Sequence, residues 1–149
     1  MINIKTGEIL IENLFYILNN KTQKKEFEDN FPKEYIRNID DMNNGYIWFN
    51  IWCSIVGKDN IILLRLCFNP TNNLYMINIA PHVNQETKFN WSDWTEEKFK
   101  QEKEFCDDWM QNNFNFNEPH KFKWGTIGSY SDKHSLNNGV IIRYNMHAK

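Results

Sequence analysis

Residues 45–57 read GYIWFNIWCSIVG, and their alternation decides how the rest of the chain is interpreted. Every second residue is apolar, as in a strand with one buried face, because successive side chains of a strand point to opposite sides. The apolar set is Ile47, Phe49, Ile51, Cys53 and Ile55. The opposite set mixes aromatic and polar side chains: Tyr46, Trp48, Asn50, Trp52 and Ser54. The stretch therefore predicts a strand with an apolar core face and a polar, aromatic second face.

Two more strands are predicted directly after this one. Residues 57–60, GKDN, have the composition of a turn, so residues 61–69, IILLRLCFN, are expected to pair back as a hairpin. A second turn at 69–73, NPTNN, leads to a third strand at 74–81, LYMINIAP. The three segments together predict an antiparallel meander.

The chain before residue 45 is predicted to be helical and then irregular. Thr6 is placed to cap a first helix over residues 8–19, and Pro32 would end a short polar helix over residues 22–30. A loop rich in Asn and Asp is expected from there to Gly45. The apolar face of the first helix would consist of Leu10, Leu14, Ile17 and Leu18.

A long amphipathic helix is predicted to begin at Asp93 or Thr95 and to end near Asn113. On a helical wheel, its apolar face holds Phe99, Phe105, Cys106, Trp109 and Met110. Its opposite face holds Glu97, Gln101, Glu104 and Asp108. Most of its aromatic side chains are thus predicted to be core, and most of its charges to face solvent.

Two strands are predicted after this helix, at residues 121–131, KFKWGTIGSYS, and 139–146, GVIIRYNM, with a polar loop between them. The element order is helix, helix, three strands, helix, two strands. This order predicts an α+β fold in one domain spanning residues 1–149, with a single antiparallel sheet of about five strands and helices packed on one face.

Composition limits the classes of function. The chain has 149 residues, of which 41% are hydrophobic and 15% aromatic, which is enough for one globular core. A net charge of −2 argues against a nucleic-acid partner, because such proteins carry a basic patch or stripe. Cys53, Cys67 and Cys106 show no CxxC or metal-ligand spacing, so they are predicted to be buried free thiols in a reducing compartment.

No membrane or export segment is predicted. The run ILIENLFYIL at 9–18 is interrupted by Glu12 and Asn13, and no small-residue cleavage site follows it. The longest purely aliphatic run, IILL at 61–64, is too short to cross a bilayer. A cytoplasmic protein without a membrane partner is expected.

No catalytic motif is present in the sequence. No HExxH or metal-ligand pair includes any histidine, and neither Ser129 nor Ser135 lies in a GxSxG elbow. The glycines of Gly125–Gly128 fall within a strand pattern, where a β-bulge or a close backbone approach is expected. We therefore predict no enzyme activity, no cofactor and no metal. The four histidines are His82, His120, His134 and His147.

One carboxylate conflicts with the helical wheel. Glu102 falls between Cys106 and Trp109 in the apolar stripe, where an unpaired charge would be costly. A buried ion pair between Glu102 and a strand arginine, Arg143 or Arg65, is therefore expected.

Two surfaces are candidates for binding a partner. The first is the acidic ridge of the long helix, which consists of Glu97, Glu104 and Asp108. The second, the aromatic sheet face, has Trp48, Trp52 and Arg65 at its centre, because Trp and Arg are frequent in interface hot spots. Three further residues are expected on that face: Tyr46, Asn50 and Asn78. If helices covered both sides of the sheet, this second surface would be core instead.

The C-terminal part of the chain resembles small bacterial proteins of the immunity type. The resemblance lies in the tryptophans of WSDW at 91–94, in DWM at 108–110, in KWG at 123–125 and in VIIRY at 140–144, together with the strand pattern. It implies a cytoplasmic, non-enzymatic inhibitor that binds one cognate toxin of a contact-dependent or polymorphic toxin system. It assigns no individual contact residues.

The functional hypothesis is therefore a protein-binding module that neutralises a toxin by occlusion, as a monomer or weak dimer. An acidic ridge would suit a basic toxin, because complementary charge speeds association. The alternative is a small ligand-binding or enzymatic domain that uses Trp48, Trp52 and Arg65 as a pocket wall. A structural subunit without activity of its own is the third hypothesis.

Overall fold

The structure, a computed structural model, describes residues 2–11, 14–53, 62–81, 96–114, 120–132 and 137–145. Across these ranges the chain forms ten β-strands and two α-helices. The strands make two antiparallel sheets, one of three strands and one of seven. The α+β class is confirmed, and the prediction of one five-stranded sheet is wrong.

The N-terminal segment forms the small sheet, so the prediction of a helix over residues 8–19 is wrong. Its strands are β1 (Ile2–Asn3), β2 (Glu8–Ile11) and β3 (Tyr16–Leu18), paired in that order. An apolar run this short fits the helical and the strand period equally well. Burial decides between them, because Ile9 and Ile11, two residues apart, are both completely buried.

The next segment confirms one prediction and corrects another. Helix α1 (Lys24–Asn30) lies within the predicted helix and ends before Pro32. After a 3-10 turn at Lys33–Tyr35, however, the predicted loop contains strand β4 (Ile36–Asp41), which pairs with the next strand and forms one edge of the large sheet. Its polar, bulged sequence is typical of an edge strand and hides the alternation.

The predicted meander is confirmed. The predicted C-terminal hairpin is present too, but its first strand, predicted over residues 121–131, is divided into two strands that pair with each other. The meander consists of β5 (Ile47–Cys53), β6 (Ile62–Phe68) and β7 (Leu74–Pro81). Helix α2 (Glu96–Phe114) follows along the chain. The remaining strands are β8 (His120–Lys121), β9 (Gly125–Asp132) and β10 (Asn137–Tyr144).

The order across the large sheet is β4-β5-β6-β7-β10-β9-β8, so β10 lies beside β7 at the centre. Three expected features fall outside the described residues: the turn at 57–60, the helix caps Asp93 and Thr95, and most of the loop between β9 and β10.

Both helices pack on the same face of the large sheet. Phe27 of α1 lies with its ring 5.2 Å from that of Phe49 on β5. On α2, Asp107 accepts a hydrogen bond from Ser129 of β9, whose cross-strand partner is the buried Val140. The core forms between this face, the two helices and the small sheet. The opposite face of the large sheet carries the aromatic sheet face.

Candidate functional site

The acidic ridge lies on the exposed side of α2, as the helical wheel predicted. Phe99, Cys106 and Met110 are buried at 7%, 1% and 0% exposure, so one side of α2 is fixed against the sheet. The ridge residues Glu97, Glu104 and Asp108 are all exposed on the other side. The side chain of Phe105, also predicted to be core, lies outside the described part. Carboxylates fixed on a packed helix lose little freedom when a partner binds.

A polar clamp holds α2 at a defined position on the sheet. The Asp107 carboxylate accepts a hydrogen bond from the Ser129 hydroxyl at 2.7 Å, and its second oxygen lies 2.7 Å from the Lys103 ammonium. Burial by itself raises the pKa of Asp107, but the hydrogen bonds from Lys103 and Ser129 and the charge of Lys103 outweigh it, so the pKa is lowered. The clamp lies beside the ridge, because Asp107 is adjacent to Asp108.

The expected burial of Glu102 is wrong. Its side chain is exposed on α2, although it falls within the apolar stripe of the wheel. Arg143 is also exposed, and the guanidinium of Arg65 is engaged elsewhere, with Asn50 and Trp48. A long carboxylate side chain at the border of a buried stripe can reach water, so the burial cost that motivated the ion pair does not arise.

The aromatic sheet face is organised around Arg65. Its Nε donates to Asn50 Oδ1 at 2.8 Å, and its guanidinium carbon lies 4.7 Å from the centroid of the Trp48 ring. Asn50 in turn donates to Asp40 Oδ2 at 3.0 Å. A guanidinium held by both a hydrogen bond and a cation–π contact is preorganised for a ligand.

Exposure on this face is graded. Trp48 and Arg65 are half-buried, whereas Asn50 and Asn78 are buried. Trp52 lies in β5 as predicted, but its side chain is outside the described part. Tyr46 makes an edge contact with Tyr75 at 6.0 Å between ring centroids. The described helices both pack on the opposite face, so neither of them buries this surface.

Asp40 is a residue of this surface that the sequence analysis did not predict. It lies in β4, which was predicted to be loop, and it directly faces Trp48 across the sheet. Its carboxylate also accepts a hydrogen bond from Asn38 at 3.2 Å. The sequence around Asp40 shows no alternation of apolar and polar residues. β4 is an edge strand, and it is held in the sheet by its hydrogen bonds to β5.

The described thiols are buried. Cys67 and Cys106 are free and buried, as predicted, while the side chain of Cys53 lies outside the described part. Burial raises the pKa of Cys67 to about 11 and that of Cys106 to about 12. Both are therefore protonated at neutral pH and are poor nucleophiles.

Among the described residues, no group of three or more His, Cys, Asp or Glu side chains is placed to hold a metal ion. His120 is exposed on β8, with its ring 4.8 Å from that of Phe122, and the other three histidines lie outside the described part. Gly125 is a close backbone approach, since a Cβ there would collide with the Arg143 carbonyl oxygen. Within the same described ranges, no helix is both long and apolar enough to span a membrane.

Comparison with known proteins reveals a likeness of fold. No family model matches this sequence, and no curated protein does. A chain of the solved structure described as "Rhs1-CT in complex with cognate immunity protein RhsI1" matches with a TM-score of 0.61 and 13% identity, over 99% of this chain and 90% of that chain. The match shows that this chain and that chain share a fold.

Proposed function

We propose that this protein is a non-enzymatic immunity protein that binds one cognate toxin in the cytoplasm and neutralises it by occlusion. The observation that carries the proposal is the match to a chain of the complex of Rhs1-CT with its cognate immunity protein, over 99% of this chain and 90% of that chain. An alignment over 99% of this chain is a likeness of the overall fold and not of one local motif.

The complex that contains the matched chain consists of two proteins, Rhs1-CT and its immunity protein. The sequence of this chain favours a likeness to the immunity protein. The motifs around WSDW, DWM and KWG resemble the immunity type. Inhibition by occlusion also needs only a rigid scaffold with a patterned surface, and the packed α2 with its exposed carboxylates has this character.

We place the toxin contact on the acidic ridge. Glu97, Glu104 and Asp108 are exposed on a helix whose other side is buried and clamped by Asp107. Such a surface fits a basic partner, whose association it accelerates by electrostatic attraction. The aromatic sheet face is the rival surface for the same contact.

Co-expression tests the proposal. The genes next to this one in the source genome are expressed singly in a host cell, each with and without this chain. One neighbour should arrest growth, and this chain should restore growth and co-purify with that neighbour's product at equal stoichiometry. A chain carrying Ile77→Asp, which disrupts the buried core, serves as the unfolded control and should not restore growth.

Two results would contradict the proposal. If this chain alone arrested growth, it would belong to the toxin side of the likeness. If it restored growth without binding the toxic product, it would act by chemistry rather than by occlusion.

The Arg65 cluster favours the alternative function, a ligand-binding or enzymatic domain. A guanidinium stacked on Trp48 and bonded to Asn50 is an arrangement that can orient a small molecule. Under this alternative, Trp48→Ala and Arg65→Gln abolish activity, whereas lysine at Glu97, Glu104 and Asp108 has no effect. If the chain is an immunity protein that binds through the ridge, the lysine variants weaken binding, whereas Trp48→Ala and Arg65→Gln have no effect on it.

A further inference from the structure

A basic strip crosses the sheet on the side opposite to the helices. The strand register aligns one row of side chains across all seven strands of the large sheet, and a second row beside it crosses six. From β8 to β4 the first row is Lys121, Thr126, Arg143, Met76, Cys67, Trp48 and Asp40. The second row is Gly128, Ile141, Asn78, Arg65, Asn50 and Asn38. Residues of these two rows share one face, because neighbouring rows are two residues apart along each strand.

The charge on these two rows is mainly positive. Lys121, Arg143 and Arg65 carry three positive charges, and Asp40 carries the negative one. The Asp40 carboxylate is already bonded by Asn38 and Asn50 at the far edge of the sheet. The acidic ridge of α2 lies on the other side of the molecule. The two sides therefore differ in charge: the sheet face is mainly positive and the ridge is negative.

Arg65 is the preorganised cation of the strip. Its Nε donates to Asn50 at 2.8 Å, and its guanidinium carbon lies over the Trp48 ring, 4.7 Å from the ring centroid. Within the described part of the chain, its two terminal amino groups make no hydrogen bond. These groups lie at the edge of the guanidinium that binds a carboxylate in bidentate pairs.

We infer that this face is a docking surface for an acidic protein segment, whose carboxylates bind the terminal amino groups of Arg65 and the side chain of Arg143. These two arginines are on the strands that flank β7, with Cα atoms about 12 Å apart by standard sheet spacings, so one extended segment reaches both. Charge complementarity identifies the occupant as acidic. The half-exposed Trp48 and Met76 beside Arg65 add residue types that are enriched in protein interfaces.

This second surface goes beyond the proposed toxin contact on the ridge. It depends on the register and charges of the sheet alone, and it holds whether or not the chain neutralises a toxin. Its test therefore uses the isolated chain of 149 residues.

The probe is an acetylated, amidated hexaglutamate peptide, with hexaglutamine as the neutral control. In NMR spectra of the isotope-labelled chain, hexaglutamate should shift the Arg65 Nε–H and Trp48 indole N–H resonances saturably, and added salt should weaken the binding. Hexaglutamine should shift neither resonance. Arg65→Gln and Arg143→Gln should each weaken binding by about fivefold.

Lys25→Gln is the matched control. It removes the same charge from an exposed position on α1, on the helix side of the sheet, and should change binding by less than about twofold. Because Arg65→Gln also removes the bond to Asn50, Arg143→Gln carries the test if the Arg65 variant fails to fold. Arg143 is exposed and belongs to the same strip.

Three outcomes would overturn the inference. The first is equal shifts at exposed cations all over the chain, which would mean non-specific attraction. The second is unchanged affinity in Arg143→Gln. The third is a shift of the Arg65 and Trp48 resonances on diluting the protein alone, which would identify the occupant as a second copy of this chain.

Discussion

Gly7 joins the two sheets through contacts that leave no room for a side chain. Its φ is +77°, and a Cβ there would lie 2.5 Å from Cδ2 of Trp124. The Gly7 carbonyl accepts a hydrogen bond from the Tyr144 hydroxyl at 2.7 Å, and Trp124 Nε1 donates to the Ile4 carbonyl at 2.8 Å. Gly7 therefore combines a left-handed backbone with direct contact to the Trp124 indole, and both features favour glycine.

Gly7→Ala should destabilise the fold by about 2–4 kcal/mol, because it adds left-handed strain to overpacking against Trp124. Urea unfolding at neutral pH measures the change. Lys5→Ala, at an exposed position in the same turn, is the control and should stay within about 0.5 kcal/mol. An equally small effect of Gly7→Ala would mean that the indole is not fixed over this turn.

The exposed position of Glu102 leads to a prediction opposite to the one made from the wheel. Glu102→Ala should change the free energy of unfolding by no more than about 0.5 kcal/mol, as surface substitutions usually do. Met110→Ala, on the same helix and completely buried, should cost about 2–5 kcal/mol in the same assay. A loss of more than about 2 kcal/mol of unfolding free energy in the Glu102 variant would contradict this prediction and would support the buried ion pair expected from the sequence.

At the scale of the element, α2 is a helix fixed by apolar packing on one side and by the Lys103–Asp107–Ser129 clamp at the contact with β9. Apolar packing stabilises the contact between α2 and the sheet but is not directional, whereas the hydrogen bonds of the clamp require a defined geometry. Together they determine where the acidic ridge points.

Asp107→Asn should destabilise the protein at pH 7 by about 1–2 kcal/mol, because it weakens charge-assisted hydrogen bonds. The folded pKa of Asp107 is lowered, so its carboxylate stabilises the fold above the unfolded pKa of about 4. This contribution is lost as the pH falls through the lower folded pKa. Urea titrations at pH 7 and near pH 2 should therefore show a difference between variant and parent that shrinks in acid. The exposed Asp108→Asn is the control, and a difference independent of pH would contradict the clamp.

Replacing Glu97, Glu104 and Asp108 together by lysine should leave the fold intact and slow association with a basic protein partner about tenfold or more at low salt. The effect should shrink at high salt, because exposed charges are screened. Stopped-flow or surface-based association rates measure it, with the partner identified by co-expression. Lysine at the exposed Glu28, Asp29 and Glu34 is the matched control for net charge. An equal effect of this control would mean that net charge, not the ridge, governs association.

At the scale of the whole molecule, buried residues of both sheets and both helices form one contiguous core cluster. It joins Ile9 and Leu18 of the small sheet to Leu64 and Val140 of the large sheet, and includes Met110 of α2. A shared core favours cooperative unfolding, since losing one part exposes the apolar surface of the others.

We therefore expect residues 1–149 to unfold as one domain. Calorimetry should show a single transition, with equal calorimetric and van't Hoff enthalpies, and a chelator should leave its midpoint unchanged. Two resolved transitions would separate the small sheet from the large one. A midpoint lowered by chelator would reveal a metal that contributes to stability.

Where one periodicity was strong and long, the sequence alone predicted the elements. The alternation from Tyr46 onward led to the meander, and the stripe from Phe99 to Met110 led to α2 with its exposed ridge. The C-terminal hairpin followed in the same way. These patterns are reliable because each buried face repeats often enough to exclude the other period.

Only the tertiary structure decided the rest, because the missing information is contact between distant segments. The apolar run at 9–18 fits both periods, and its pairing as strands depends on the core that it covers. Strand β4 exists through its hydrogen bonds to β5, so its own residues carry little signal, and the role of Asp40 was hidden with it. The wheel could not place Glu102, since a side chain at the border of a buried stripe is exposed or buried according to what packs beside it.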